Sequence, residues 1–91
     1  MARRLKQDIS IGQNLQKLRI AAGLTQEAVV AKLTLMQVPI SREILSQMEA
    51  GRYSIRISVL LALSEVYDVE IEEFFTGVSW RDLPSDSSKE N

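Results

Sequence analysis

The sequence contains no cysteine and no histidine. Their absence excludes disulfide bonds, thiolate nucleophiles, histidine bases and the common zinc ligand sets. With only 4 glycines, 2 prolines and 5% aromatic residues, the chain has few of the turn formers that a sandwich or barrel needs. No apolar run approaches the ~18 residues of a membrane-spanning helix, and the first residues resemble no signal peptide. We therefore expect an all-α cytoplasmic protein that is not an enzyme and needs no cofactor or metal.

Charge is divided unevenly along the 91 residues, which suffice for one small domain. The net charge is −1. Residues 1–56 carry nine Lys or Arg against four Asp or Glu, a net charge of +5, whereas residues 57–91 carry two against eight, a net charge of −6. A basic half can attract a polyanion, and an acidic tail that lies apart from it would not cancel the attraction.

Apolar residues form one face of each of four predicted helices, and a short fifth helix follows them. The predicted helices span residues 11–22, 26–36, 42–49, 59–67 and 71–75. The expected N-caps are Ser10 (in a capping box with Gln13), Thr25, Ser41 and Ser58. We expect Gly23 and Gly51 to end their helices and Asp68 to take a left-handed conformation. The residues of the fourth helix expected to point inward are Leu60, Leu61, Leu63 and Ser64.

Three regions follow from this pattern. Residues 1–10 form a basic lead-in, residues 11–76 form the helical domain, and residues 77–91 form a polar, acidic tail. The last eight residues of the tail contain no apolar side chain, so we expect that end to be disordered.

Two short helices joined by a brief turn outline a helix-turn-helix, but other small bundles share this outline. Two motifs add specificity: Gly23-Leu24-Thr25-Gln26, with Arg19 before it, and Met48-Glu49-Ala50-Gly51. With these motifs, the chain from Ile11 to about Phe75 resembles the Cro and repressor type (XRE) helix-turn-helix family. The resemblance implies a five-helix, lambda-repressor-like domain that binds double-stranded DNA. Thr25 and Ser41 lie 16 positions apart, more than is usual in the family, which leaves the docking angle open.

The third helix is the expected reading helix, because such a helix enters the major groove with its N-terminal side chains toward the base edges. Arginine suits guanine, glutamine suits adenine, glutamate can accept from cytosine, and an aliphatic group can contact a thymine methyl. Glu43 tolerates nearby phosphates only if it reads cytosine or pairs with Arg42. The candidate base-reading residues are Arg42, Glu43, Ile44, Ser46 and Gln47, with Arg42 and Gln47 foremost.

The resemblance also implies roles outside the reading helix. Gln26, at the first turn of the second helix, and the loop residues Arg52, Tyr53, Ser54 and Arg56 are the expected phosphate contacts. Arg19 and Glu49 match a partly buried pair that links the first helix to the end of the third.

Because one helix reads only a few base pairs, we expect a homodimer on an inverted-repeat operator. Phe75 and Trp80 are the candidate dimer contacts. The predicted function is that of a transcriptional regulator, most simply a repressor. The alternatives are an antitoxin or a restriction-modification controller built on the same module. A rival of another class is a protein-interaction module whose C-terminal region docks a partner without DNA. The basic first half, Arg42 and Gln47 favour DNA binding.

Overall fold

The computed structural model describes residues 9–82, and that part of the chain contains helices and no strand. The α-helices are α1 (Gly12–Ala21), α2 (Gln26–Leu35), α3 (Arg42–Glu49) and α4 (Ile57–Tyr67), followed by the 3-10 helices η1 (Ile71–Phe75) and η2 (Trp80–Asp82). The all-α prediction is confirmed. The expected disorder of the last eight residues lies outside the described residues.

The short fifth helix predicted at residues 71–75 is the 3-10 helix η1, so the described residues contain four α-helices and the count of five is not confirmed. Glu70 and Glu73 cap this segment reciprocally: the side chain of each accepts from the backbone of the other. Five residues allow too few successive hydrogen bonds to offset the cost of nucleating an α-helix, whereas a 3-10 turn suits so short a piece.

Hydroxyl caps begin two of the helices as predicted. Thr25 Oγ1 accepts from the Ala28 amide at 3.0 Å, and Ser41 Oγ accepts from the Ile44 amide at 3.0 Å. The caps predicted at Ser10 and Ser58 are wrong. Ile11 is the N-cap of α1 and has no side-chain cap, and the Ser10 hydroxyl instead accepts from the Gly12 amide. Since α4 begins at Ile57, Ser58 already lies inside the helix and Arg56 takes the cap position.

Each α-helix is followed by a residue in the left-handed conformation, which glycine adopts without strain. Gly23 (φ 76°) and Gly51 (φ 77°) follow α1 and α3, and Asp68 (φ 57°) follows α4, as predicted. Gln37 (φ 63°) follows α2 in the same way. Because α2 ends at Leu35, residues 36–41 form the longer connection to α3.

The core lies among the four α-helices and η1. Its fully buried side chains are Leu15, Val29, Leu33, Leu45, Met48, Val59, Leu63 and Phe74. On α4, Leu60 and Leu63 point inward as predicted, but Leu61 is 54% exposed because it lies on the opposite side of that helix. None of the helices in the described part of the chain has the length and apolar character needed to span a membrane.

The start of α1 lies against the end of α3 with almost no space between the backbones. A Cβ atom at Gly12 would stand 2.5 Å from the Glu49 carbonyl oxygen and 2.6 Å from that of Met48. Only glycine permits this approach. The orientation of α3 therefore depends on a glycine that the helical pattern did not single out.

Candidate nucleic-acid interface

Helix α3 buries one side and leaves the other accessible. Leu45, Met48 and Glu49 are buried against the rest of the domain. Four of the predicted base-reading residues are exposed at helical spacing of three or four positions: Arg42, Glu43, Ser46 and Gln47. The fifth, Ile44, is half-buried and packs against the core. The exposed face of α3 thus presents a cation, an anion, a hydroxyl and a carboxamide.

Arg42 pairs with an acidic residue of α2, not with Glu43. Its Nε lies 3.0 Å from Glu27 Oε2, and both side chains are mostly exposed, at 62% and 68%. This salt bridge joins the first turns of α2 and α3. The two residues are 15 positions apart, so no local pattern in the sequence indicates the pair.

A second ion pair lies inside the domain and connects α1 to α3. Arg19 Nε donates to Glu49 Oε2 at 2.7 Å and Arg19 Nη2 donates to Glu49 Oε1 at 3.1 Å. Only 12% of the Arg19 side chain and 4% of the Glu49 side chain are exposed. The hydrogen bond to Glu49 raises the pKa of Arg19 above its ordinary value, although burial acts in the opposite direction.

Two further contacts extend this ion pair to the turn between α1 and α2. Arg19 Nη1 donates to the Leu24 carbonyl at 2.9 Å, and Gln26 Nε2 donates to Glu49 Oε1 at 3.1 Å. The four residues therefore tie α1, the turn, the start of α2 and the end of α3 together. Charge-assisted hydrogen bonds of this kind hold α3 in one orientation.

The contact of Gln26 with Glu49 bears on its predicted role at a phosphate. A carboxamide nitrogen carries two N–H donors, and the bond to Glu49 uses one of them. The half-buried side chain keeps the second donor for another acceptor. Its phosphate contact stays a prediction.

Residues 52–56 follow the opposite end of α3 from Arg42. Gly51 turns the chain, and the Arg52 amide donates to the Gln47 carbonyl at 2.8 Å. The side chains proposed for phosphates, Arg52, Tyr53, Ser54 and Arg56, are all exposed. They follow the C-terminal end of α3, whereas Arg42 stands at its N-terminal end.

The Tyr67 hydroxyl is buried near the Arg19 and Glu49 pair. It has no hydrogen-bond partner among the described residues. Burial raises the pKa of Tyr67 well above its ordinary value, and the Glu49 carboxylate adds to the shift. The phenol therefore stays neutral and contributes no charge to the site.

The predicted dimer contacts lie on a different part of the surface. Phe75 and Trp80 are 46% and 70% exposed, whereas Phe74 is fully buried in the domain. Asn14 Nδ2 donates to the carbonyls of Phe74 and Thr76, at 2.8 and 3.0 Å, and so fixes η1 on α1. The structure thus leaves two aromatic side chains exposed, Phe75 on the anchored η1 and Trp80 on η2.

Comparison with known proteins agrees with this geometry. The helix-turn-helix family HTH_3 matches residues 15–74. The restriction-modification controller protein C.AhdI from Aeromonas hydrophila is similar in structure, with a TM-score of 0.63 and 28% identity over 74% of this chain and 94% of the controller. An HTH_3 family transcriptional regulator from Vibrio cholerae has a TM-score of 0.58 and 29% identity over 72% of this chain and 34% of that protein. A search of curated protein sequences gives no match.

Proposed function

Since the chain belongs to the HTH_3 helix-turn-helix family, we propose that it is a sequence-specific DNA-binding transcriptional regulator that represses by occupying an operator. The observation that carries this proposal is the exposed polar face of α3, with Arg42 and Gln47, on a helix whose other side is buried. The Arg19 and Glu49 pair supports it, because a reading helix must keep one orientation to discriminate between bases. Acting on chromosomal DNA, the protein would work in the cytoplasm.

In the proposed complex, α3 lies in the major groove with its first turn toward the base edges. Arg42 donates to a guanine and Gln47 bonds to an adenine, while Glu43 accepts from a cytosine and Ser46 and Ile44 complete the surface. The second N–H of Gln26 and the exposed side chains of Arg52, Tyr53 and Arg56 contact phosphates, which sets the register of the helix on the duplex.

A restriction-modification controller is the second candidate. The match to C.AhdI covers 94% of that protein, so nearly the whole controller has a counterpart in this chain. Both candidates require specific DNA binding. They differ in the genes that the operator controls, which for a controller would be those of a restriction-modification system.

Selection of bound duplexes from random DNA, followed by gel shifts, tests the proposal. We expect bound duplexes to be recovered at low salt and the affinity to fall about a hundredfold between about 50 and 200 mM salt. This estimate assumes that Arg52 and Arg56 of two protomers neutralise four phosphates and release their counterions. Recovery of no duplex would instead favour a protein-interaction module that docks a partner through the C-terminal region.

Side chains of α3 and of the following loop should differ in their effects on binding. Arg42→Ala and Gln47→Ala should each cost about 1–3 kcal/mol on the preferred site and relax the preference at one base position. Arg52→Ala should weaken binding to all sequences alike. Gel-shift titrations on the selected site and on random DNA measure both effects. Equal losses on the two duplexes for the α3 variants would remove those residues from base reading.

We also propose that the protein binds as a homodimer through Phe75 and Trp80. Sedimentation at micromolar concentration should show a dimer, and Phe75→Ala combined with Trp80→Ala should shift it toward monomer. A two-fold dimer places its α3 helices about one DNA turn (~34 Å) apart, so the selected sites should be inverted repeats.

Ile20→Ala is the matched control, since Ile20 is an exposed apolar residue on α1 and should leave the dimer intact. A monomer at all concentrations, together with selected sites that lack inverted symmetry, would contradict the dimer.

A further inference from the structure

The salt bridge between Glu27 and Arg42 connects the two helices of the helix-turn-helix at the end that faces DNA in the proposed complex. Glu27 is the second residue of α2 and Arg42 is the first residue of α3. Both side chains are more than 60% exposed. Exposed ion pairs contribute little to folding stability. The carboxylate also lies in the first turn of α2, where the helix dipole favours an acidic side chain whether or not that side chain pairs with Arg42. Neither contribution requires the salt bridge to Arg42.

We propose that Glu27 is a positioning residue that sets the base preference of Arg42, an inference that rests on the proposed DNA-binding function. The salt bridge engages Arg42 at Nε. A guanidinium carries five N–H donors in a planar fork, and its terminal nitrogens retain donors for the O6 and N7 acceptors of a guanine. Glu27 therefore holds the side chain without occupying all of the donors that would read the base.

The charge of Glu27 supports a role in discrimination over a role in affinity. A carboxylate beside the duplex repels phosphates and weakens binding to every sequence. An unrestrained arginine, in contrast, can turn to any neighbouring phosphate, and phosphate contacts carry no sequence information. The salt bridge to Glu27 restrains Arg42 from contacting a phosphate and so favours its contact with the base. The negative charge of Glu27 at the same time lowers the affinity for every sequence.

The test measures discrimination between two duplexes, defined as the Kd for the altered duplex divided by the Kd for the selected site. One duplex is the selected site, and the other differs from it at the base pair whose preference Arg42→Ala relaxes. Glu27→Ala should lower the ratio by about two- to fivefold, the range expected for breaking an exposed ion pair. It should also tighten binding to random DNA. In an Arg42→Ala background, Glu27→Ala should leave the ratio unchanged, because the residue acts through Arg42.

Glu65→Ala is the matched control, because it removes the same charge from an exposed helical position of α4. Glu65 lies beside Leu35 and Met36 at the C-terminal end of α2, whereas Glu27 stands on the first turn of that helix. The control should leave the ratio unchanged. Thermal melts should show only a small change for either variant, because each removes an exposed charge near one end of a helix. A small change in stability separates positioning from a structural role.

Two results would overturn the inference. If Glu27→Ala tightens binding to both duplexes equally, Glu27 only repels phosphates. If Glu27→Ala raises the ratio, the salt bridge keeps Arg42 from contacting the base. Failure of the proposed function looks different, since the wild-type protein would then select no duplex at all.

Discussion

Glu49→Ala is expected to lower the free energy of unfolding by about 3–5 kcal/mol, because it leaves the buried Arg19 guanidinium without its counter-charge. The two side chains are 12% and 4% exposed and form two hydrogen bonds with each other. The variant also removes the acceptor of Gln26. Arg19 would retain only its hydrogen bond to the Leu24 carbonyl among the contacts described above. Urea unfolding followed by circular dichroism measures the loss.

Arg42→Ala provides the comparison for this prediction. It also breaks a salt bridge, but one whose partners are mostly exposed, so it should cost no more than about 1 kcal/mol. Equal stabilities of the two variants would mean that the Arg19 and Glu49 pair is absent or solvated in the folded protein.

Gly12→Ala is expected to cost about 3 kcal/mol, near the upper end of the range for overpacking. The added Cβ would meet the backbone carbonyls of Glu49 and Met48 at 2.5 and 2.6 Å. Backbone atoms in the last turn of α3 cannot rotate away as a side chain can, so α1 and α3 must separate. The better helix propensity of alanine offsets little of this cost, because Gly12 is the first residue of α1 and propensity differences are largest in a helix interior.

Gln13→Ala is the control for Gly12→Ala, since Gln13 is the next residue of α1 and is exposed. Thermal melts should show little change for Gln13→Ala and a clear decrease for Gly12→Ala. If Gly12→Ala melts at the wild-type temperature, the two helices are further apart than the structure places them.

Local features explain why much of the fold could be predicted. Thr25 and Ser41 cap their helices through contacts three residues along the chain, so the hydroxyl and its position suffice to identify them. The N-caps predicted at Ser10 and Ser58 are wrong because a cap must directly precede its helix, and α1 and α4 begin at Gly12 and Ile57.

Contacts between helices could not be predicted in this way. Glu27 meets Arg42, and Gln26 meets Glu49, only because α2 and α3 pack at one angle. Nothing local links Arg19 and Glu49, which are 30 positions apart. Only the family resemblance therefore implied that they pair. The resemblance did not imply the hydrogen bond from Gln26 to Glu49. It also did not imply the role of Gly12, because a glycine within a helical pattern indicates only a low helix propensity.

Methylation interference on the selected duplex tests most directly whether α3 reads bases in the major groove. Guanine N7 lies in the major groove and adenine N3 in the minor groove. We predict that methylation of N7 at one guanine in each half-site blocks the wild-type protein. The Arg42→Ala protein, although weaker, should bind that methylated duplex as well as the unmodified one. Interference confined to adenine N3, or N7 interference that persists in full for Arg42→Ala, would contradict the account.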